Sequence, residues 1–491
     1  MKAVLADQRA SDMPVDAVAV PVAPGQSPDT GLQELDAATG GLLREVLTGG
    51  EHKGRLFEIL PVAVRGLQAR RVLLYGVGAP GELDGQRLRH AHHEVTRAAR
   101  TYGFRRLGVL RTAPLTDDSL TAVVEGCVMG AWEPRTHATG RPERGAVDEL
   151  HLAGFGSGRE HDVVVATELG EATNRVRDWV NLPPNELTPQ AFAQKAQEVA
   201  RRAGLEIEVL GPDELAAGGY NLLLGVSRAA AEPPRLVRLR HRGAEGGPEL
   251  ALIGKGITFD TGGISIKPAD RMSRMKGDMA GAAAVLAAIE VVAARRLPLN
   301  VMAVLALSEN MPGGRAMKPG EVLRSANGKT VEVVNTDAEG RLVLGDALTY
   351  AVRSGATHLV DLATLTGAAN HITGHVTTPA LCDDEALWSR LEEASRLAGE
   401  RLHRLPIHAD HRVLLRSRIA DLRNSEYGEA GTILGGLFIQ EFSEGRPWAQ
   451  LDIASTSWNT NDALTTVLRG PTGTGARTCA RLAELFVDAA R

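Results

Sequence analysis

The chain has 491 residues, a formal net charge of −5, 43% apolar residues and 23% charged ones. That length exceeds what one hydrophobic core organises and fits two domains, with the composition of an ordinary globular protein. The mild acidity gives no general attraction to nucleic acid or anionic membrane, and an aromatic content of 4% leaves little for a base-stacking surface.

The opening MKAVLADQRASDMP develops no apolar core of a secretory signal. Cys127, Cys382 and Cys479 are sparse and odd in number, which fits a reducing cytosol better than a disulfide framework. The expectation is a cytoplasmic protein. Residues 17–22 and 72–77 read as strands, and 85–102 has helical spacing through Leu88, His92 and Val95. His90, His92 and His93 fall on that helix and are expected on its exposed face. A strand at 107–111 and a helix at 118–131 complete a small α/β domain. The Arg-, Gly- and Pro-rich stretch 134–147 reads as a loop. A helix over 165–180 links the halves, and the boundary is placed near 160, giving domains 1–160 and 161–491.

In the second half, strands are expected near 205–209, 249–254, 299–307, 331–334, 357–362 and 449–453. Helices are expected at 189–203, 279–296, 342–353, 410–418 and 430–442. Such alternation predicts an α/β fold with a mixed, mostly parallel sheet covered by helices. The apolar run Met279–Ala294 is short, alanine-rich and interrupted by Glu290, so it reads as a buried helix rather than a membrane span.

Two clusters carry the chemistry. Asn335-Thr336-Asp337-Ala338-Glu339-Gly340-Arg341-Leu342 alternates two carboxylates and a guanidinium, which in an extended segment share one side. That pattern fits either an exposed charged strand or a site holding divalent metal beside an anion. Upstream, Lys255, Asp260, Lys267 and Asp278 stand in an otherwise apolar or glycine-rich stretch, with Lys255 and Asp260 expected at a strand end and its loop. Lys255 alone fits a metal ligand or an ordinary ion-pair partner of Asp278. No Walker loop, His-Glu-x-x-His helix or Gly-x-Ser-x-Gly elbow competes.

With both clusters in place, the chain resembles the leucyl aminopeptidases, two-metal exopeptidases. The resemblance also rests on Asn181-Leu182-Pro183-Pro184-Asn185, Ala363-Thr364-Leu365-Thr366-Gly367, Leu451-Asp452-Ile453-Ala454 and Gly470-Pro471-Thr472-Gly473, and runs from about residue 165 toward the C-terminus. It implies an N-terminal α/β domain with an oligomer or regulatory role and a C-terminal catalytic domain. It further implies two divalent ions per subunit, Mn²⁺ or Zn²⁺, with Asp260 and Glu339 bridging, Asp337 completing one site, and Lys255 and Asp278 the other. Lys267 would stabilise the oxyanion, and Arg341 would hold a bicarbonate that shuttles a proton; the other reading of Arg341 is a salt bridge to Asp337 or Glu339. Met275, Thr364, Gly367 and Ala454 match positions lining the pocket for the first side chain, or are plain core packing. The implied partners are peptides with a free N-terminus and further copies of the chain in a homohexamer.

Gln450, Ser455 and Ser457 depart from the family pattern, as does the polar stretch 370–375. The first residue preferred therefore stays open, leucine-like or broad, and a narrow dipeptidase is the alternative. A second, DNA-binding function would need a basic groove. Arg65, Arg70, Arg71, Arg105 and Arg106 are interspersed with acids, so no nucleic-acid partner is expected.

Overall fold

The computed structural model describes residues 1–26, 32–79, 81–134, 137–139, 145–426, 428, 430–460 and 469–488. Its contacts divide the chain into two compact units, one running to Asn174 and one starting at Arg175. The division falls within the helix Glu160–Asn181. The segment 134–147 lies in part outside the described residues.

The first unit is a six-stranded sheet: β1 (Lys2–Ala6), β2 (Ala17–Val22), β3 (Ile59–Ala63), β4 (Arg71–Gly76), β5 (Arg106–Leu110) and β6 (Glu149–Ala153). Its order is β1-β6-β5-β2-β4-β3, parallel throughout except for the edge pair β3–β4. The helix Gly85–Thr101 starts where the Asp84 carboxylate accepts from the Arg87 N–H at 2.8 Å. It buries Leu88, Ala91, Val95 and Ala99 at helical spacing.

One sequence expectation fails here. His92 and His93 are buried rather than exposed. His92 donates Nδ1–H to the Leu88 carbonyl at 3.0 Å and accepts at Nε2 from the Tyr75 hydroxyl at 3.1 Å. Both ring nitrogens are satisfied, so the imidazole packs as a neutral core group.

The second unit holds an eight-stranded mixed sheet. Its strands are β7 (Glu206–Leu210), β8 (Arg235–Arg242), β9 (Glu249–Asp260), β10 (Asn300–Asn310), β13 (His358–Ala363), β14 (Thr378–Cys382), β15 (Leu402–Arg404) and β17 (Trp448–Asp452). The short strands β11 (Val322–Arg324), β12 (Thr330–Glu332) and β16 (Leu422–Arg423) form a separate small sheet. The main order is β15-β14-β17-β13-β9-β10-β8-β7, and the central four, β17, β13, β9 and β10, run parallel.

The helix Ala280–Ala294 packs on this sheet, with every residue but its last buried. Its approach needs glycine on the strand: a Cβ at Gly254 would fall 2.4 Å from the Ala282 Cα. By length and composition Met272–Ala294 is apolar enough to cross a membrane, but 94% of the qualifying window is buried inside the protein. The expected helix at 410–418 is shorter, an α-turn over Ala409–Arg412 followed by a 3₁₀ turn to Leu415.

Candidate metal centre

The parallel core of the second unit ends its strands together. Asp260 closes β9 and pairs in register with Asn310, which closes β10. Ala363 and Asp452 close β13 and β17 and pair likewise. Ligand sites of open α/β sheets form at this carboxyl edge, and here a cleft of about 660 Å³ opens. Asp260, Asp278, Asp337, Glu339, Lys255 and Lys267 all line it, as do Met275, Thr364, Gly367 and Ala454.

The local structure differs from the sequence expectation in two places. Lys255 sits within the long strand β9 rather than at its end. The segment 335–339 is a turn, not an extended strand: the Asn335 side chain accepts from the Asp337 N–H at 2.9 Å, and Glu339 is already the N-cap of the helix Gly340–Arg353. An Asx turn of this kind reverses the chain, so alternation in sequence does not place the three charged side chains on one side. Gly340 is required where it stands, because a Cβ there would lie 2.6 Å from the Lys255 Cε.

The cluster is built from anions held apart by ammonium groups. Lys255 Nζ lies 2.8 Å from both Asp278 Oδ2 and Glu339 Oε1, and donates to the Thr364 carbonyl at 3.0 Å. Lys267 Nζ lies 2.7 Å from Asp260 Oδ2 and also pairs with Asp337 Oδ1. Asn310 Nδ2 donates to Asp260 Oδ1 at 2.8 Å and reaches Glu339 Oε2 at 3.4 Å. Thr364 Oγ1 donates to Asp278 Oδ1 at 2.6 Å. One oxygen from each of Asp260, Asp337 and Glu339 lies within 4.8 Å of the others.

Burial disfavours the ionised form of three of these acids. Burial, then the adjacent Asp260, pushes Glu339 up to about 8. Burial lifts Asp278 to about 6 against the pull of Lys255. Asp337 is raised by burial and by Asp260. Burial works to lower Lys255, but Asp278, Glu339 and Asp260 outweigh it and hold the ammonium above the usual lysine value. Four acids without histidine or cysteine form a hard oxygen donor set. The two ammonium groups, each between two carboxylates, stand where positive charge is needed, so the residues present fit divalent cations.

Arg341 does not line the cleft. It is buried, and its Nη1 donates to the Asn424 carbonyl at 2.8 Å. No ion pair joins it to Asp337 or Glu339 among the described residues, and its Nε has no hydrogen-bond partner. Burial pulls it down to about 10, against Glu339 and Asp452.

Sequence reading missed Asn310, Asn424 and Asp346. Asn310 was reachable, since it ends the strand expected near 299–307 at the ligand-bearing edge. Asp346 anchors the helix Gly340–Arg353 by accepting from the N–H groups of Leu222, Leu223 and Ala326 at 2.8–3.0 Å. It carries no sequence signal, because its partners lie 20 or more residues away.

Residues 174–480 match the cytosol aminopeptidase family, catalytic domain, and residues 19–136 match that family's N-terminal domain. The chain belongs to the cytosol aminopeptidase family. A probable cytosol aminopeptidase of Solibacter usitatus is 42% identical over 95% of this chain and 96% of its own length. One of Alkaliphilus metalliredigens is 40% identical over 92% of each. Among solved structures, a mutant of tomato leucine aminopeptidase superposes with a TM-score of 0.89 at 28% identity, covering 98% of this chain and 96% of the other. The bottromycin maturation enzyme BotP in complex with Mn superposes at 0.85 with 33% identity, covering 96% and 99%. The family membership makes the chain a metal-dependent aminopeptidase, a hydrolase that releases N-terminal residues from peptides.

Proposed function

We propose that Asp260, Asp278, Asp337 and Glu339, with Lys255, hold two divalent cations in each subunit, and that peptides with a free N-terminus are cleaved beside them. The observation that carries this reading is the gathering of these carboxylates in one cleft, with an oxygen from each of Asp260, Asp337 and Glu339 within 4.8 Å of the others and with burial raising Asp278, Asp337 and Glu339. Mn²⁺ is the first candidate, because the BotP structure holds Mn, and Zn²⁺ is the second. Bound cations of this kind supply an acidified water and a polarised scissile carbonyl.

The protein's own residues do the rest. Asn310 fixes the rotamers of Asp260 and Glu339 through its amide donors. Thr364 orients Asp278. Lys267 is the more exposed of the two lysines, at 22% against 3%, so its ammonium is the one able to swing to a developing oxyanion. Arg341, with hydrogen-bonding capacity to spare beside the N-terminal turn of its helix, would hold a bicarbonate that relays a proton. Met275, Thr364, Gly367 and Ala454 would receive the first side chain. The same reading takes the assembly as a homohexamer, and its place as the cytoplasm, the second in keeping with the relatives' names.

The test is release of the first residue from dipeptides by chelator-stripped protein, with Mn²⁺ or Zn²⁺ restored. Cleavage restored by metal for free-amine peptides, and absent for N-acetylated ones, is expected. Full cleavage without metal would contradict the reading.

A further inference from the structure

Four lysine and arginine side chains line the cleft, and three are neutralised. Lys255 and Lys267 each bridge two carboxylates, and Arg271 pairs with Asp270 at 3.1 Å. Arg274 is the exception. It lines the same cleft, is half-buried, and its guanidinium has no hydrogen-bond or ion-pair partner among the described residues. It stands on the 3₁₀ turn Met272–Gly277, directly before Met275, a residue proposed for the first side chain's pocket, and four residues before Asp278.

A half-buried guanidinium has given up part of its hydration, and its planar fork of donors matches a carboxylate in two-point geometry. Asp270 pairs with the neighbouring Arg271, and no carboxylate among the described residues pairs with Arg274. The turn thus leaves one guanidinium in the lining of the cleft with no protein group to fill it.

We propose that Arg274 is a specificity residue that binds a carboxylate of the substrate, so that this aminopeptidase favours short anionic peptides. The inference rests on the site reading given above. The carboxylate can come from an acidic first side chain or from the C-terminus of a dipeptide, and one experiment separates them.

The Mn²⁺-loaded enzyme and its Arg274→Gln and Arg274→Lys variants would be assayed on two substrate pairs: Leu-Gly against Leu-Gly amide, and Glu-Gly amide against Gln-Gly amide. The measured quantity is the ratio of kcat/KM within each pair. In Arg274→Gln the ratio falls about 5- to 50-fold in one pair, chiefly through KM, and that pair names the carboxylate's source. Arg274→Lys restores part of it, since charge is kept and only the fork is lost. Ratios within twofold of the original in both pairs would overturn the proposal while leaving the site reading intact. Failure of the metal-loaded parent to cleave any of the four would overturn both together.

Discussion

The cleft of the larger unit and the helix interface of the smaller one both bury titratable side chains, and they solve the problem in opposite ways. At Tyr75 and His92 every polar atom meets a partner of the complementary kind, and no net charge is buried. At Asp260, Asp278, Asp337 and Glu339, acceptors face acceptors, and two lysines hold them apart. The first arrangement is what stability selects. The second leaves four acids against two ammonium groups, an excess of negative charge that marks it as a candidate site rather than as architecture.

The contrast is broken or sharpened most strongly by neutralising one acid of the cleft. Glu339→Gln should lower kcat/KM by roughly 10³-fold while leaving the melting temperature of the metal-free protein undiminished, since it removes a repelled carboxyl. Differential scanning calorimetry beside steady-state assays checks both halves. A marked loss of stability would place Glu339 with the architecture.

Acid should find the smaller unit's weakness. Burial lowers His92 to about 4 from its ordinary 6.5. A depressed folded-state value means its contribution is complete above about 6.5 and is lost as pH falls toward 4, up to about 3 kcal/mol. Urea midpoints across pH 7 to 4 would show the decline, and His92→Gln should flatten it.

Asn310→Ala leaves Asp260 and Glu339 without a shared donor, and activity should fall about 10- to 100-fold, with weaker metal affinity. Titration of the stripped variant with Mn²⁺ separates that loss from misfolding. The smallest effect is expected at Tyr75→Phe, which strips the donor from His92 Nε2 and should cost about 1–2 kcal/mol in denaturant unfolding with kcat/KM preserved.

The same contrast explains what the sequence made legible. The cleft's acids and lysines were readable because they cluster in two short motifs and stand out against apolar or glycine-rich surroundings. Their backbone was misread, since Asp337, Glu339 and Arg341 alternate like a strand while the Asn335 side chain bends the segment into a turn. Glycines 254 and 340 serve close approach of a helix and of a lysine stem, partners that lie far off in sequence. The three histidines are expected on the exposed face of their amphipathic helix. His92 is buried because a carbonyl one turn back and a tyrosine 17 residues away satisfy it, and the second of these is a tertiary fact. Asn310 and Asp346 act through partners still farther away in sequence.

The most direct measurement is anomalous diffraction from crystals soaked in Mn²⁺. Two peaks are predicted per subunit, both within coordination distance of the Asp260 and Glu339 carboxylates, with Lys255 and Asp278 at one and Asp337 at the other. Peaks elsewhere, or an empty cleft at saturating Mn²⁺ with activity intact, would contradict the account.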